Sequence, residues 1–243
     1  PTQVFTPVVS LPEVEALCLN WGFFETNLHS RAYSQIIRNI YQVPKEVFET
    51  IHETDDIINM AANICVYYDK LHEINCRVEL GEKIDEYEHI KAIWMALQAS
   101  YALEGLRFMV SFATSLAMVE NKIFIGNGNL ISLILQDELL HKGWTAYIIN
   151  QVVKEDERFA RAKEECEEEV YQMYMDVIEE EKAWADYLFQ KGPVIGLNAD
   201  ILKDFMDYTA KETLRDIGIK YHKSAPKTTP EPARTGRQER GPQ

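Results

Sequence analysis

Basic residues are the first shortage in this chain. Its 243 residues carry 25 lysines and arginines against 39 aspartates and glutamates, a formal net charge of −14. That balance argues against nucleic acid or an anionic membrane surface as a partner. Cysteines are few and unpaired in pattern: Cys18, Cys65, Cys76 and Cys166 are scattered and form no C-x-x-C. Reduced thiols in a cytoplasmic protein are therefore expected. Long apolar runs are missing too. The longest, Phe108 to Val119, has 12 residues and includes Ser111, Thr114 and Ser115, whereas a membrane span needs about 20. A buried core helix is expected there, and no membrane contact. No segment of any length alternates with the period of two that marks a strand. With 46% hydrophobic residues a sizeable core is still available. The expected fold class is all-α, a helical bundle with long antiparallel helices and short loops.

Taken in order, Pro1 to Ser10 reads as an extended lead-in, and Pro1 in place of Met suggests that the chain does not start where a complete gene product would. A helix is expected from about Leu11-Pro12, with Ser10 as N-cap, to about Tyr41, where Val43-Pro44 ends it. Pro44 opens a short helix through Ile51, and Thr54-Asp55-Asp56 caps another carrying Ile57, Ile58, Ala61, Ile64, Tyr67 and Leu71 at helical spacing. Cys76 to Gly81 reads as a connection. A long helix from about Ile84 to Val119, a loop through Gly126-Asn127-Gly128, and a helix from Leu130 to about Lys154 follow. Glu155 to Gln190 reads as one more helix, with Glu and Lys outside and Ala162, Cys166, Val170, Met173, Tyr174 and Val177 inside. Asp200 to Ile217 is the last. Residues 1–223 thus form one domain. Residues 224–243 hold four of the nine prolines, no aromatic residue and no aliphatic beyond alanine, and are expected to be disordered.

Within that frame a few side chains carry chemistry. Glu104 sits among Tyr101, Leu103, Leu106, Phe108 and Met109. A buried glutamate is costly unless paired or bound to metal, so it is read as a ligand, with a salt bridge to Arg107 as the structural alternative. Glu138 and His141 are three apart and share one helical face with Ile134 and Ile131. Glu25 and His29 form a second pair, four apart, with Thr26 at the minus-three position. The extra residue requires either different ligand angles or a π-bulge, a feature common at functional sites. Paired Glu/His motifs on facing helices, joined by lone glutamates, are how a bundle builds a dinuclear carboxylate centre. Asp137 is either a solvated neighbour or an acceptor that orients an imidazole. Tyr33, one turn beyond His29, is either core or functional. His52, His72, His89 and His222 lie among charged residues and read as surface.

The blocks FFETNLHSRAYSQIIRNIY, ALEGLRFMVSFATSLAMVE, GNGNLISLILQDELLH and EEKAWADYLFQKGPVIGLNADIL together resemble the small, radical-generating subunit of class I ribonucleotide reductase, in its bacterial and phage forms. The match runs in one order from about Pro7 to Tyr221. The resemblance implies a ferritin-like bundle and an oxidoreductase subunit. It implies two iron ions, with manganese as the alternative, held by Glu25, His29, Glu104, Glu138 and His141. Tyr33 would be the tyrosyl radical, Phe108, Phe112 and Ile134 its apolar pocket, and Asp137 the carboxylate beside His29 on the electron path. The implied partners are the large subunit, which reduces ribonucleotides, and either a second copy of this chain or a complementary small-subunit fragment. The family pattern also has a first ligand helix that donates an aspartate, and a docking tail with a tyrosine. Both fall outside this chain, which points to a fragment, a split gene product or a truncated copy. Two alternatives accompany the main reading: a non-catalytic assembly partner, and another di-metal carboxylate oxidase in which Tyr33 stays reduced.

Overall fold

The computed structural model describes residues 2–50, 53 and 55–223. The expected disorder of 224–243 and the surface placement of His52 lie outside the described residues. Eleven α-helices are present among the described residues: α1 Thr2–Phe5, α2 Pro12–Phe23, α3 Ser30–Ile40, α4 Pro44–Thr50, α5 Asp55–Glu79, α6 Glu86–Ala102, α7 Met109–Glu120, α8 Ile125–Glu155, α9 Glu157–Glu165, α10 Glu167–Leu188 and α11 Ala199–Asp216. No strand forms among the described residues. Among the described residues the one β contact is an isolated bridge between Val194 and Leu197.

Two π-helical segments join what would otherwise be breaks. Phe24–His29 links α2 to α3, and Leu103–Arg107 links α6 towards α7. The helix Glu86–Glu120 that results is long and apolar enough to cross a bilayer by length and composition. Its surroundings are those of a core element instead. The helices α5, α8, α9, α10 and α11 pack along it, and it buries Gln98, Ser100, Glu104 and Arg107. Tyr101 and Tyr174 lie wholly buried beside it, and each finds a hydroxyl partner: Tyr101 donates to the Thr213 carbonyl (2.7 Å) and Tyr174 to Gln98 Oε1 (2.8 Å). Neighbouring Leu71, Leu106, Leu202 and Leu214 are as deeply buried, each worth about 1.5–3 kcal/mol against exposure.

Several expected boundaries shift for local reasons. The lead-in is helical, as α1 followed by a 3-10 turn at Thr6–Val8, because Val4 and Phe5 are buried against the bundle. Leu11, not Ser10, occupies the N-cap of α2, with Pro12 fixing the first turn. Cys76 is not in a connection: α5 continues to Glu79, anchored by Asn75, whose amide donates to the Val4 carbonyl (2.9 Å). Ile57 and Ile58 on its first turns remain exposed. His89 is half-buried, paired with Asn75 Oδ1 at 2.8 Å. The expected single helix over 155–190 is two, α9 and α10, parted at Cys166, whose φ of −100° and ψ of 9° leave the helical range; Asp156, extended, separates α9 from α8 and caps α9 by accepting from the Arg158 amide.

The α7–α8 turn lies earlier than expected. Lys122 and Phe124 take left-handed φ of 59° and 54°, and α8 starts at Ile125. Gly128 is therefore not a turn residue. It sits in the first turn of α8 where a Cβ would come within 1.9 Å of Val119 Cγ2. Gly128→Ala is expected to destabilise the chain by about 1–3 kcal/mol through overpacking of this hairpin, visible as a lowered thermal midpoint. An unchanged midpoint would mean that α7 and α8 can part at no cost.

Candidate metal centre

The site is assembled from three stretches: the π segment Phe24–His29, the π segment Leu103–Arg107 and the middle of α8. On α8 the 3.6-residue period places Ile131, Ile134, Glu138, His141, Thr145 and Ile149 on one buried face. Glu138 and His141 therefore enter the interior with their apolar neighbours. Glu25 and His29 are brought into line by the π segment, whose i→i+5 bonding widens the turn and absorbs the residue that separates this pair from the spacing of three. Glu104 lies in the second π segment, a distortion for which the sequence offered no sign.

The geometry centres on the two imidazoles. His29 Nδ1 lies 3.2 Å from Glu138 Oε1 and 3.4 Å from Glu25 Oε2. His141 Nδ1 lies 2.9 Å from Glu138 Oε2, 3.4 Å from Glu104 Oε2 and 3.5 Å from Glu25 Oε1. Glu138 and Glu25 thus each turn one oxygen to each imidazole, and the two ring centroids are 6.3 Å apart. His29, Glu104, Glu138 and His141 are buried, while Glu25 keeps 31% of its side chain exposed. Asp137 sits behind His29, with Oδ2 3.0 Å from Nε2. The second nitrogen of that ring is therefore oriented by a carboxylate, a common arrangement behind metal-ligating histidines. Arg107 does not pair with Glu104; it forms an ion pair with Glu180 (2.6 Å).

Electrostatically the cluster asks for a cation. Burial would lower the His29 pKa, but its contacts with Glu138, Glu25 and Asp137 reverse that and push it up to about 11. Burial, then the adjacent Glu138 and Glu25, raise Glu104 well above the carboxylate range, against the opposing bond from Trp21. Glu138 goes the other way despite burial, held to about 2 by His141, His29 and Glu104. Glu25 Oε1 and Glu104 Oε2 are buried without a hydrogen-bond partner. Donor atoms of Glu25, Glu104, Glu138 and His141 all lie within 4.8 Å of one another. Orphaned carboxylate oxygens around inward-facing imidazole nitrogens fit a bound metal ion.

The aromatic environment is denser than expected. Trp21 Nε1 donates to Glu104 Oε1 (3.2 Å) while its ring stacks on His141 with centroids 5.2 Å apart. Trp144 and Phe24 close around the same imidazole at 5.3 and 5.7 Å. The two tryptophans carry a spacing signal, since Trp21 stands four before Glu25 and Trp144 three after His141; Phe24, adjacent to Glu25, carries none. Phe108, Phe112 and Ile134 do come together, with Met109 and Ile131, in a small apolar cluster against Ala32 and Ile36 of α3. Tyr33 lies between those two helix positions but is not enclosed, and 41% of its surface is exposed. Burial first, then the negative Glu138 and Glu25, push its phenol up to about 12.

Comparison with known proteins finds relatives in sequence and in structure. Residues 2–230 match the family model "Ribonucleotide reductase, small chain". The chain is 39% identical over 232 residues to a ribonucleoside-diphosphate reductase subunit beta of Buchnera aphidicola subsp. Baizongia pistaciae and 38% identical to that of Haemophilus influenzae, each alignment covering 90% of this chain and 61% of the relative. The corresponding subunit of Enterobacteria phage T4 is 31% identical over 241 residues, 90% of this chain and 62% of that one. The chain thus spans about three-fifths of the length of these relatives. In structure it is similar to a class I ribonucleotide reductase protein from Bacillus halodurans (TM-score 0.73, 20% identity, 90% of this chain and 73% of that one). The ribonucleotide reductase R2 subunit from Clostridium botulinum is similar as well (TM-score 0.74, 21% identity, 90% and 66%). The fold is the ferritin-like helical one of these R2 proteins, and by its sequence this chain belongs to the ribonucleotide reductase small-chain family.

Proposed function

We propose that the chain holds a dinuclear iron centre, with manganese as the alternative, and uses it to oxidise Tyr33 for a large subunit that reduces ribonucleotides. The observation that carries this reading is the paired geometry of Glu25 and Glu138, each presenting one oxygen to each imidazole. Two carboxylates so placed suit two metals side by side, and hard oxygen donors with two imidazoles suit iron or manganese better than copper or zinc. In this reading Glu25, His29, Glu104, Glu138 and His141 are the ligands.

The bound metals would supply oxidising equivalents drawn from dioxygen. The chain's own residues set where those equivalents go. Tyr33 is held as the neutral phenol by desolvation and by the neighbouring carboxylates, so an electron leaving its ring must be accompanied by the hydroxyl proton. Phe108, Phe112 and Ile134 gather in one apolar cluster against Ala32 and Ile36, the neighbours of Tyr33 on α3; in this reading they line the phenoxyl and offer it no group to oxidise or hydrogen-bond to. Asp137 fixes the His29 ring through Nε2 and stands on the route by which an electron would leave towards the large subunit. Four free cysteines support a cytoplasmic, reducing environment. Leu19, Phe23 and Leu28, exposed along α2 and its continuation, support a second small-subunit polypeptide as a further partner, whether another copy or a complementary fragment.

The test is reconstitution. Iron(II) added to the metal-free chain and then exposed to air is expected to bind, to give charge-transfer absorption, and to give a radical EPR signal that Tyr33→Phe abolishes. No iron uptake would end the reading. One observation favours a second: the 41% exposure of Tyr33 leaves a phenoxyl open to reductants. A di-metal oxidase in which Tyr33 stays reduced would show metal uptake and oxygen consumption with no stable radical.

A further inference from the structure

Glu104 takes its direction from a π turn, and that turn is tied to two helices that carry none of the candidate ligands. The segment Leu103–Arg107 packs against α10 and α11 as well as against α8. Both ties are buried. At the end of the segment Arg107, 7% exposed, forms its ion pair with Glu180 of α10 at 2.6 Å. Glu180 in turn accepts from the Asn63 amide of α5. In the middle of the segment Thr213 of α11, 1% exposed, donates its hydroxyl to the Gly105 carbonyl at 3.4 Å. Thr213 is itself pinned, because its own carbonyl accepts from Tyr101 at 2.7 Å. The approach at Gly105 is close. A Cβ there would lie 2.8 Å from Thr213 Cγ2, nearer than the roughly 3.5–4.0 Å at which packed carbons rest. The side chain of α11 thus touches the backbone of the residue that follows Glu104.

What such ties fix is a register. A π turn holds one residue more than an α turn, and each residue advances a helix by about 100°. Moving the extra residue from one side of Glu104 to the other would therefore swing the carboxylate by about 100° around the helix axis. Glu104 would lose both of its present neighbours, Trp21 Nε1 at 3.2 Å from Oε1 and His141 Nδ1 at 3.4 Å from Oε2. Two long contacts are a weak hold for a buried side chain, so the backbone has to supply the aim.

We propose that Thr213 and Arg107 are positioning residues for the metal centre: by their contacts with Gly105 and Glu180 they hold the π turn in the register that aims Glu104 at His141. This rests on the reading of Glu104 as a ligand, while the direction of Glu104 is readable without metal.

Two readouts on the full chain separate aim from fold. The Trp21 indole N–H donates to Glu104, so its nitrogen-15 resonance in the metal-free chain reports where Glu104 points. That resonance is the one lost in Trp21→Phe. Manganese(II), titrated against a competing chelator, reports the affinity of the centre. Gly105→Ala is expected to move the Trp21 signal upfield and to weaken manganese about tenfold, the lower end of the effect of residues that orient a metal ligand. Thr213→Ser added to it removes the methyl group that the new Cβ meets and keeps the hydroxyl, and is expected to bring both readouts back towards wild type. Thr213→Val and Glu180→Gln each loosen one tie at nearly constant volume and are expected to shift both readouts in the same direction as Gly105→Ala. A Trp21 signal left in place by Gly105→Ala or by Glu180→Gln overturns the proposal, as does a double variant no better than Gly105→Ala. A lowered thermal midpoint with unchanged manganese affinity overturns it too, by making the ties structural only. If Gly105→Ala fails to fold, Thr213→Val and Glu180→Gln decide. No manganese uptake by the wild-type chain would end the reading of the metal centre, and the Trp21 signal would then decide the positioning alone.

Discussion

Glu104→Gln is expected to remove most of the affinity for divalent metal and to leave the metal-free fold intact. Glu104 is almost wholly buried, its Oε2 has no hydrogen-bond partner, and its Oε1 accepts from Trp21. In the metal-free chain its carboxyl is pushed towards the neutral form by burial, by Glu138 and by Glu25. Glutamine is a neutral side chain of the same shape that keeps the acceptor for Trp21, so the metal-free thermal midpoint should hardly move. Metal binding should respond in the opposite way. Residues that only orient a ligand cost about 10–100-fold in metal affinity when lost, so loss of an anionic ligand should cost at least about 100-fold. The check is a pair of measurements: metal titration against a competing chelator, and thermal melts with and without metal. Binding to the native state alone raises the midpoint of the wild-type chain, and that rise should be absent in Glu104→Gln at the same metal concentration. Unchanged affinity would place the metal elsewhere. A metal-free variant that no longer folds would make Glu104 a structural residue.

How far the sequence exposed this site depends on what kind of regularity each residue obeys. Glu138 and His141 follow the helical period and share their face with Ile131 and Ile134, so their burial together was legible. Glu25 and His29 break that period by one residue. The spacing raised a π-bulge as one of two solutions, and the segment Phe24–His29 takes that one. The second π segment, around Glu104, left no trace in residue spacing, because a π turn is selected by what packs on either side of it. Gly126-Asn127-Gly128 read as a loop because glycine is the usual sign of a turn. Here Gly128 is required by the approach of Val119, a tertiary fact that one strand of sequence does not carry. The exposure of Tyr33 is tertiary in the same sense: Ala32 and Ile36 pack on the apolar cluster while the ring between them keeps 41% of its surface open. Among the acidic residues of α10 the reverse holds. Glu181 lay in a run read as solvated, yet it falls in register with Tyr174, Val177, Ile178 and Ala185, all buried.

Glu181→Gln is expected to stabilise the chain, increasingly so as pH rises. Glu181 is 0% exposed, and neither carboxylate oxygen has a hydrogen-bond partner. Burial pushes its pKa from 4.5 to about 8; the charge of Arg107 and the nearby Val110 amide pull it back only in part, neither in bonding geometry to it. The folded state therefore binds this proton more tightly than the unfolded state does. Below about pH 4.5 the carboxyl is neutral in both states and costs nothing through its charge. Between about pH 4.5 and 8 the unfolded chain ionises while the folded one resists, so stability falls with each step in pH. Above about 8 the loss levels out. At about 1.4 kcal/mol per unit, a rise of that size sets an upper bound of about 5 kcal/mol, and a few kcal/mol is the expected gain at pH 9. Glutamine fills the same volume, carries no charge, and removes the slope. Denaturant unfolding of both chains, metal-free, at pH 4.5, 7 and 9 is the check. The difference between them should be small at the lowest pH and widen through the middle of that range. Parallel curves would show that Glu181 is not charged at any cost to the fold, through water or a partner reaching its carboxylate. A variant weaker than wild type at pH 9 would make the ionised form a stabilising partner of Arg107, which already faces Glu180 at 2.6 Å and would then lie between two carboxylates.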